Sequence, residues 1–186
     1  DHRDLHSFPT RRSSDLIADG SITLTTGSIF TNNFTVALMM YAGAALLGIF
    51  GIILLSANGM FLGFFGSQVD LISYLALTLP HGIFEIPGII IACSGGLVLL
   101  KFVLLFVWNI IHPDRNDETY RHYFGDLGLS FKEKFMLSLN RHQGRIKESF
   151  ILLVISTLLL GIAAFVEANL TLPIASGFLG LLGIPI

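Results

Sequence analysis

Leu79-Pro80-His81-Gly82-Ile83-Phe84-Glu85-Ile86-Pro87-Gly88 places a histidine and a glutamate one helical turn apart inside apolar sequence. The flank from Leu71 to Leu79 carries no charge, and Glu85 is the only charge between Ile83 and Leu100. A run of this kind is long enough to cross a bilayer. An acidic group at mid-bilayer costs roughly 2.5–3.5 kcal/mol on insertion scales, so such residues by default mark sites. At i, i+4 spacing His81 and Glu85 share one helix face and can pair. Pro80 suits the first turn of a helix, where its missing N–H costs nothing. Pro87 removes an internal hydrogen bond and pushes on the preceding turn. The stretch therefore predicts a helix start, a His/Glu face and a kink, in that order. A purely structural role, a neutralised pair seating an awkward helix end at the bilayer edge, has equal standing with a functional one. One His and one Glu without HExxH spacing are too few metal ligands unless another element helps. No metal, cofactor-binding or catalytic residue is expected.

Composition points the same way. Of 186 residues, 53% are hydrophobic and 13% charged, against about 25% charged in ordinary soluble domains. Mean hydropathy is +0.74. The expected class is all-α: a polytopic helical membrane protein with three to four membrane segments, one of them broken or re-entrant. A net charge of −2 says little about partners, but no basic patch suits nucleic acid, and none is expected as a partner. The single Cys93 forms no internal disulfide and no metal or redox pattern.

Working outward, Asp1 to Leu16 (DHRDLHSFPTRRSSDL) is polar and lacks the apolar core of a signal peptide. One allowed back-translation resembles a common short-read sequencing adaptor. Residues 1–16 are accordingly expected to be an assembly artefact, and the true N-terminus to be missing. Genomic resequencing across this junction tests that reading. Residues 17–31 read as a linker, and 32–175 as the membrane domain. Thr31 or Asn32 could cap the first helix. Phe34 to Ser56 is a charge-free span with a small-residue face at Ala44, Gly48 and Gly51, and Asn58-Gly59 is the expected stop. Between Met60 and Leu79 the polar break Gly66-Ser67-Gln68-Val69-Asp70 would put Asp70 near mid-span. Two half-segments joined there explain the polarity better, since non-helical backbone at depth is tolerated only inside protein or beside water.

The loop 112–148 holds Arg115, Arg121, Lys132, Lys134, Arg141, Arg145 and Lys147. The positive-inside rule places it in the cytoplasm and the C-terminus outside the cell membrane. Ser130-Phe131-Lys132-Glu133 has the form of a capping box, followed by Phe131, Phe135 and Leu139 at fourfold spacing. A short amphipathic helix on the inner membrane face is predicted. Phe150 to Val166 is the last span, with Glu167 at its outer end, free to face Lys101 or His81. Residues 176–186 form an apolar tail.

Pro80-His81-Gly82-x-x-Glu85-x-Pro87, followed by a small-residue apolar helix, resembles the signature of the stage II sporulation protein M family of integral membrane proteins. Asn32-Asn33 before a Gly-rich helix ending at Asn58-Gly59, and Phe165-Val166-Glu167-Ala168 near Pro173, agree over about residues 30–175. The resemblance implies a further transmembrane helix before Asn32. In sporulating bacteria it implies a role in engulfment, as the membrane partner of a complex that remodels the cell wall. The candidate functional or structural polar residues are His81, Glu85, Asp70, Asn33, Asn58 and Glu167. Membrane lipid and cell-envelope proteins are the expected partners of a non-enzymatic scaffold. The alternative is a small transporter or channel-like protein using the His/Glu pair. An intramembrane hydrolase built on Cys93 or Ser94 ranks last, because nothing in the sequence pairs either with a base.

Overall fold

The computed structural model describes residues 25–111 and 130–184. Residues 1–16, the linker as far as residue 24 and the loop residues 112–129 lie outside the described part. The described residues form five helices and no strand: α1 (Thr26–Leu47), α2 (Ile49–Gly66), α3 (Leu71–Ile111), α4 (Phe131–Asn169) and α5 (Thr171–Leu181). The first four are long and apolar enough to cross a membrane.

Local chemistry explains the boundaries, several of which differ from the sequence reading. α1 starts earlier than expected. Thr25, not Thr31 or Asn32, is its N-cap: the Thr25 hydroxyl accepts from Ser28 N–H (3.2 Å), and Ser28 Oγ accepts from Thr25 N–H (3.0 Å). Thr31 instead turns its hydroxyl back onto the Gly27 carbonyl (2.8 Å) inside the helix.

The predicted span Phe34–Ser56 is broken at Gly48, and Asn58-Gly59 stops nothing, because α2 runs through both to Gly66. Gly48 has φ +58, a backbone conformation that residues with a Cβ rarely adopt. The broken or re-entrant 60–79 segment is likewise replaced. Ser67 to Asp70 form a turn between two full helices, and Asp70 Oδ2 accepts from Ser73 N–H (2.9 Å) at the start of α3. Asp70 is exposed there, not buried at mid-span.

α3 begins nine residues before Pro80 and continues through Pro80 and Pro87, so Pro80 does not mark a helix start. Each proline leaves the carbonyl four residues earlier without its regular amide partner; transmembrane helices tolerate this where neighbouring groups re-satisfy it. Ser130 caps α4 as the box predicted, with Glu133 Oε2 accepting from Ser130 N–H (2.8 Å). The amphipathic segment after it is no separate surface helix. It is the start of one 39-residue helix that continues into the last span. It packs on the end of α3: Ser138 Oγ donates to the Phe106 carbonyl (3.0 Å), and the Phe135 and Phe106 rings meet edge to face at 5.1 Å. The tail is helical from Thr171, with Ala175 and Leu179 buried.

α3 and α4 share the largest interface and run antiparallel; α1 lies against both. Asn169 Nδ2 donates to Thr26 Oγ1 (3.3 Å) at one end of the bundle. Toward the other end, Tyr41 OH and Ser149 Oγ are 2.7 Å apart, and Ser149 Oγ donates to the Gly95 carbonyl (2.8 Å). α2 doubles back between these ends, from Gly48 beside Leu100 to Gly66 beside Tyr74, whose hydroxyl donates to the Leu62 carbonyl (2.9 Å).

The core is a seam of small residues. Ala37, Ala44, Ala92 and Cys93 are buried with Met40, Ile89 and Leu160. A Cβ on Gly96 would run into the Tyr41 carbonyl oxygen, and one on Gly88 would stand 3.2 Å from Leu160. Gly96→Val should therefore destabilise the protein by about 1–3 kcal/mol or more, the range of core overpacking, read as a lower melting temperature in detergent. Gly63→Ala, with nothing within 4 Å of the new methyl, should be neutral or mildly stabilising. Equal melting temperatures for the two variants would refute this packing.

Candidate functional site

The site forms where α3, α4 and α5 meet. On α3 the i, i+4 spacing puts His81 and Glu85 on one face, with Nε2 to Oε2 at 3.9 Å. Both side chains are largely withdrawn from the surface, at 14% and 25% exposure. At 3.9 Å the pair is beyond hydrogen-bond reach.

The antiparallel course of α4 brings its end to the same level. Glu167 joins the pair: one ligand atom from each of His81, Glu85 and Glu167 lies within 4.8 Å of the other two. This settles the alternative left open by the sequence. Lys101 is exposed and lies about 30 Å from His81 along α3, at ~1.5 Å per residue.

The turn at Leu170 completes the arrangement. Its amide donates to the Val166 carbonyl (2.8 Å), which ends α4 and redirects the chain into α5. Thr171 is thereby buried against α3. Its hydroxyl donates to the same Val166 carbonyl (3.2 Å), and its Oγ1 is 3.3 Å from His81 Nδ1. A hydroxyl carries one hydrogen. With that hydrogen on Val166, Oγ1 can only accept from Nδ1–H. Neutral His81 is thus assigned, from its partners, the tautomer with its Nε2 lone pair turned toward Glu85.

A cavity of about 250 Å³ adjoins the cluster between α2 and α3, lined by Asn58, Thr78, His81 and Glu85 with Phe61 and Phe65 among the apolar walls. Of the six polar residues singled out in the sequence, His81, Glu85 and Glu167 come together and Asn58 faces the same cavity. Asp70 is a helix cap. Asn33 is buried within α1, where Asn32 Nδ2 donates to its Oδ1 (3.3 Å). Thr171 was not singled out. Its only signal was a position four residues after Glu167, visible as relevant once the helix break at Leu170 is known. Cys93 is buried, while Ser94 is exposed and donates to the Ile90 carbonyl (2.8 Å), so the two face different ways.

The family model described as Stage II sporulation protein M matches residues 3–172. The chain belongs to that family. Similar proteins include two from Methanocaldococcus jannaschii. Uncharacterized protein MJ0706 is 30% identical over 148 residues, covering 80% of this chain and 56% of its own length. Uncharacterized protein MJ0793 is 31% identical over 154 residues, covering 80% of this chain and 72% of its own length. The chain thus spans little more than half the first relative. No solved structure matches the chain.

Within this family fold the three-residue cluster can be tested by coupling. Residues that share one electrostatic cluster show interaction energies of about 0.5–3 kcal/mol in double-mutant cycles. The effects of Glu85→Gln and Glu167→Gln on thermal stability should therefore fail to add by an amount in this range. Strict additivity would mean that the two carboxylates do not meet.

Proposed function

We propose that this sporulation protein M family member is a non-enzymatic scaffold of the cell membrane that binds a membrane protein of the cell-envelope machinery. The observation that carries the reading is α2. Gly51 is the one buried residue of its 18, while Met60, Phe61, Phe64 and Phe65 stand exposed. Exposed apolar side chains alone need only lipid. The glycines say more. Gly59 and Gly63, four residues apart, have nothing within 4 Å of the position a Cβ would take. Each costs a helix interior about 1 kcal/mol relative to alanine, and neither is repaid by packing among the described residues. A small-xxx-small face lets a second helix approach closely in lipid, where packing drives association.

The basic residues of the 112–148 loop support a cytoplasmic position for it and an outer position for the Asn169 end. Partners on this reading are membrane lipid and an envelope or division protein, with no nucleic acid. A transporter reading draws on the cavity beside His81 and Glu85. It ranks second because no internal repeat of the kind on which many transporters are built is evident.

The test uses the full-length gene product in native membranes, with a photo-crosslinking side chain at position 63 or, as a lipid-facing comparison, at position 158, where Leu158 is exposed on α4. Position 63 should yield a defined adduct with a cell-envelope membrane protein, and position 158 should not. Lipid adducts alone at both positions would refute the scaffold reading.

A further inference from the structure

Three potential metal-ligand groups converge where α3, α4 and α5 meet. With the Thr171 hydrogen on the Val166 carbonyl, His81 turns Nδ1–H to Thr171 and Nε2 toward Glu85 Oε2, 3.9 Å away. Glu167 closes the triangle. No lysine or arginine among the described residues forms an ion pair with either carboxylate. Two carboxylates and an imidazole nitrogen held this close in a half-buried site are drawn together by a cation placed between them.

We propose that His81 Nε2, Glu85 and Glu167 bind one divalent transition-metal cation of the Zn²⁺ or Mn²⁺ type. Four observations on the molecule support this independently of the scaffold reading. First, donor type and number fit: an imidazole and two carboxylates are three protein ligands, the count of an open zinc site. Second, spacing fits. Ligands held at ~2.0–2.2 Å around a tetrahedral ion stand about 3.4 Å apart. The separation of 3.9 Å on α3 and the 4.8 Å limit for the trio close to that by small rotamer changes of two glutamates. Third, the outer shell is in place. Metal-binding histidines almost always donate their second N–H to a fixed acceptor, which sets tautomer and ring orientation; Thr171, itself anchored on the Val166 carbonyl, is that acceptor. Fourth, the adjoining cavity of about 250 Å³, with Asn58 and Thr78 on its wall, has room for water in the remaining coordination position.

Charge and ligand chemistry narrow the ion. A divalent cation brings two carboxylates to formal neutrality, which suits a half-buried site. Imidazole suits zinc, copper, iron or nickel, the two carboxylates also suit manganese, and Mg²⁺ and Ca²⁺ take all-oxygen sites.

The test is titration calorimetry of the full chain, untagged and metal-stripped, in lipid nanodiscs with ZnCl₂, accompanied by the visible absorption spectrum after CoCl₂ addition. One equivalent per chain should bind, and Zn²⁺ should raise the melting temperature. Glu85→Gln and Glu167→Gln should each weaken binding by at least about tenfold. Thr171→Val, a positioning change, should weaken it by about ten- to a hundredfold, the usual effect of losing an outer-shell partner; Thr171→Ser should restore it. The Co²⁺ bands should disappear in His81→Ala. Should Glu85→Gln fail to fold, Glu167→Gln at the helix end carries the comparison. Three results would overturn the proposal: no saturable binding; Zn²⁺ affinity that survives Glu85→Gln combined with Glu167→Gln, the mark of an ion held by other histidines; or preference for Mg²⁺ or Ca²⁺ over Zn²⁺.

Discussion

Close approach of backbones governs this molecule. In lipid the hydrocarbon tails are as apolar as leucine, so helices gain nothing merely by hiding apolar surface from their surroundings. Contact area and hydrogen bonds must hold them together. The seam supplies both. Gly96 of α3 meets Tyr41 at a distance that leaves no space for a Cβ, and Gly88 and Gly95 face Leu160 and Leu152 so closely that a Cβ at either would push its neighbour aside. At the tightest point, Tyr41, Ser149 and the Gly95 carbonyl link α1, α4 and α3 through one serine hydroxyl. The Gly95 carbonyl gives the buried Ser149 hydroxyl an acceptor, without which it would carry a cost in the low-dielectric interior.

The polar cluster depends on this seam. His81 and Glu85 are paired by their own helix, but Glu167 and Thr171 reach them only because α3 and α4 are locked in one antiparallel register. A shift of one residue along that interface would move Glu167 by about 1.5 Å and around the helix by about 100°. The small-residue contacts, which tolerate no such shift, therefore set the geometry of groups several turns away.

Much of this was legible in the sequence, and the misses share a physical cause. Helical class and membrane runs need only a hydropathy window. The capping box at Ser130 and Glu133 needs only two side chains three residues apart. The break at Gly48 was not visible, because Gly43, Gly48 and Gly51 look alike in composition and only tertiary crowding by Leu100 and Ala44 distinguishes them. Asn58-Gly59 carries the chemistry of a stop, yet the helix continues, with Asn58 facing the cavity beside His81. Asp70 is a polar break in sequence and structure alike, but it caps a helix start and is not at mid-span, because the apolar run before it begins at Ile49 and not at Met60. The continuity of α4 was hidden by a change from polar to apolar surface, which alters what surrounds a helix but not its hydrogen-bond ladder. Glu167 was flagged, but its choice between Lys101 and His81 depended on which helices run antiparallel.

The unbroken course of α4 also acts as a depth gauge. Lys147 and Glu167 lie on one continuous helix, twenty residues and thus about 30 Å apart, the thickness of the hydrocarbon core. With the ammonium of Lys147 held at one headgroup layer, the carboxylate of Glu167 comes level with the other. In that frame the cluster would be a shallow vestibule beneath the headgroups opposite Lys147 and not a mid-bilayer station, open to ions and water from that side alone.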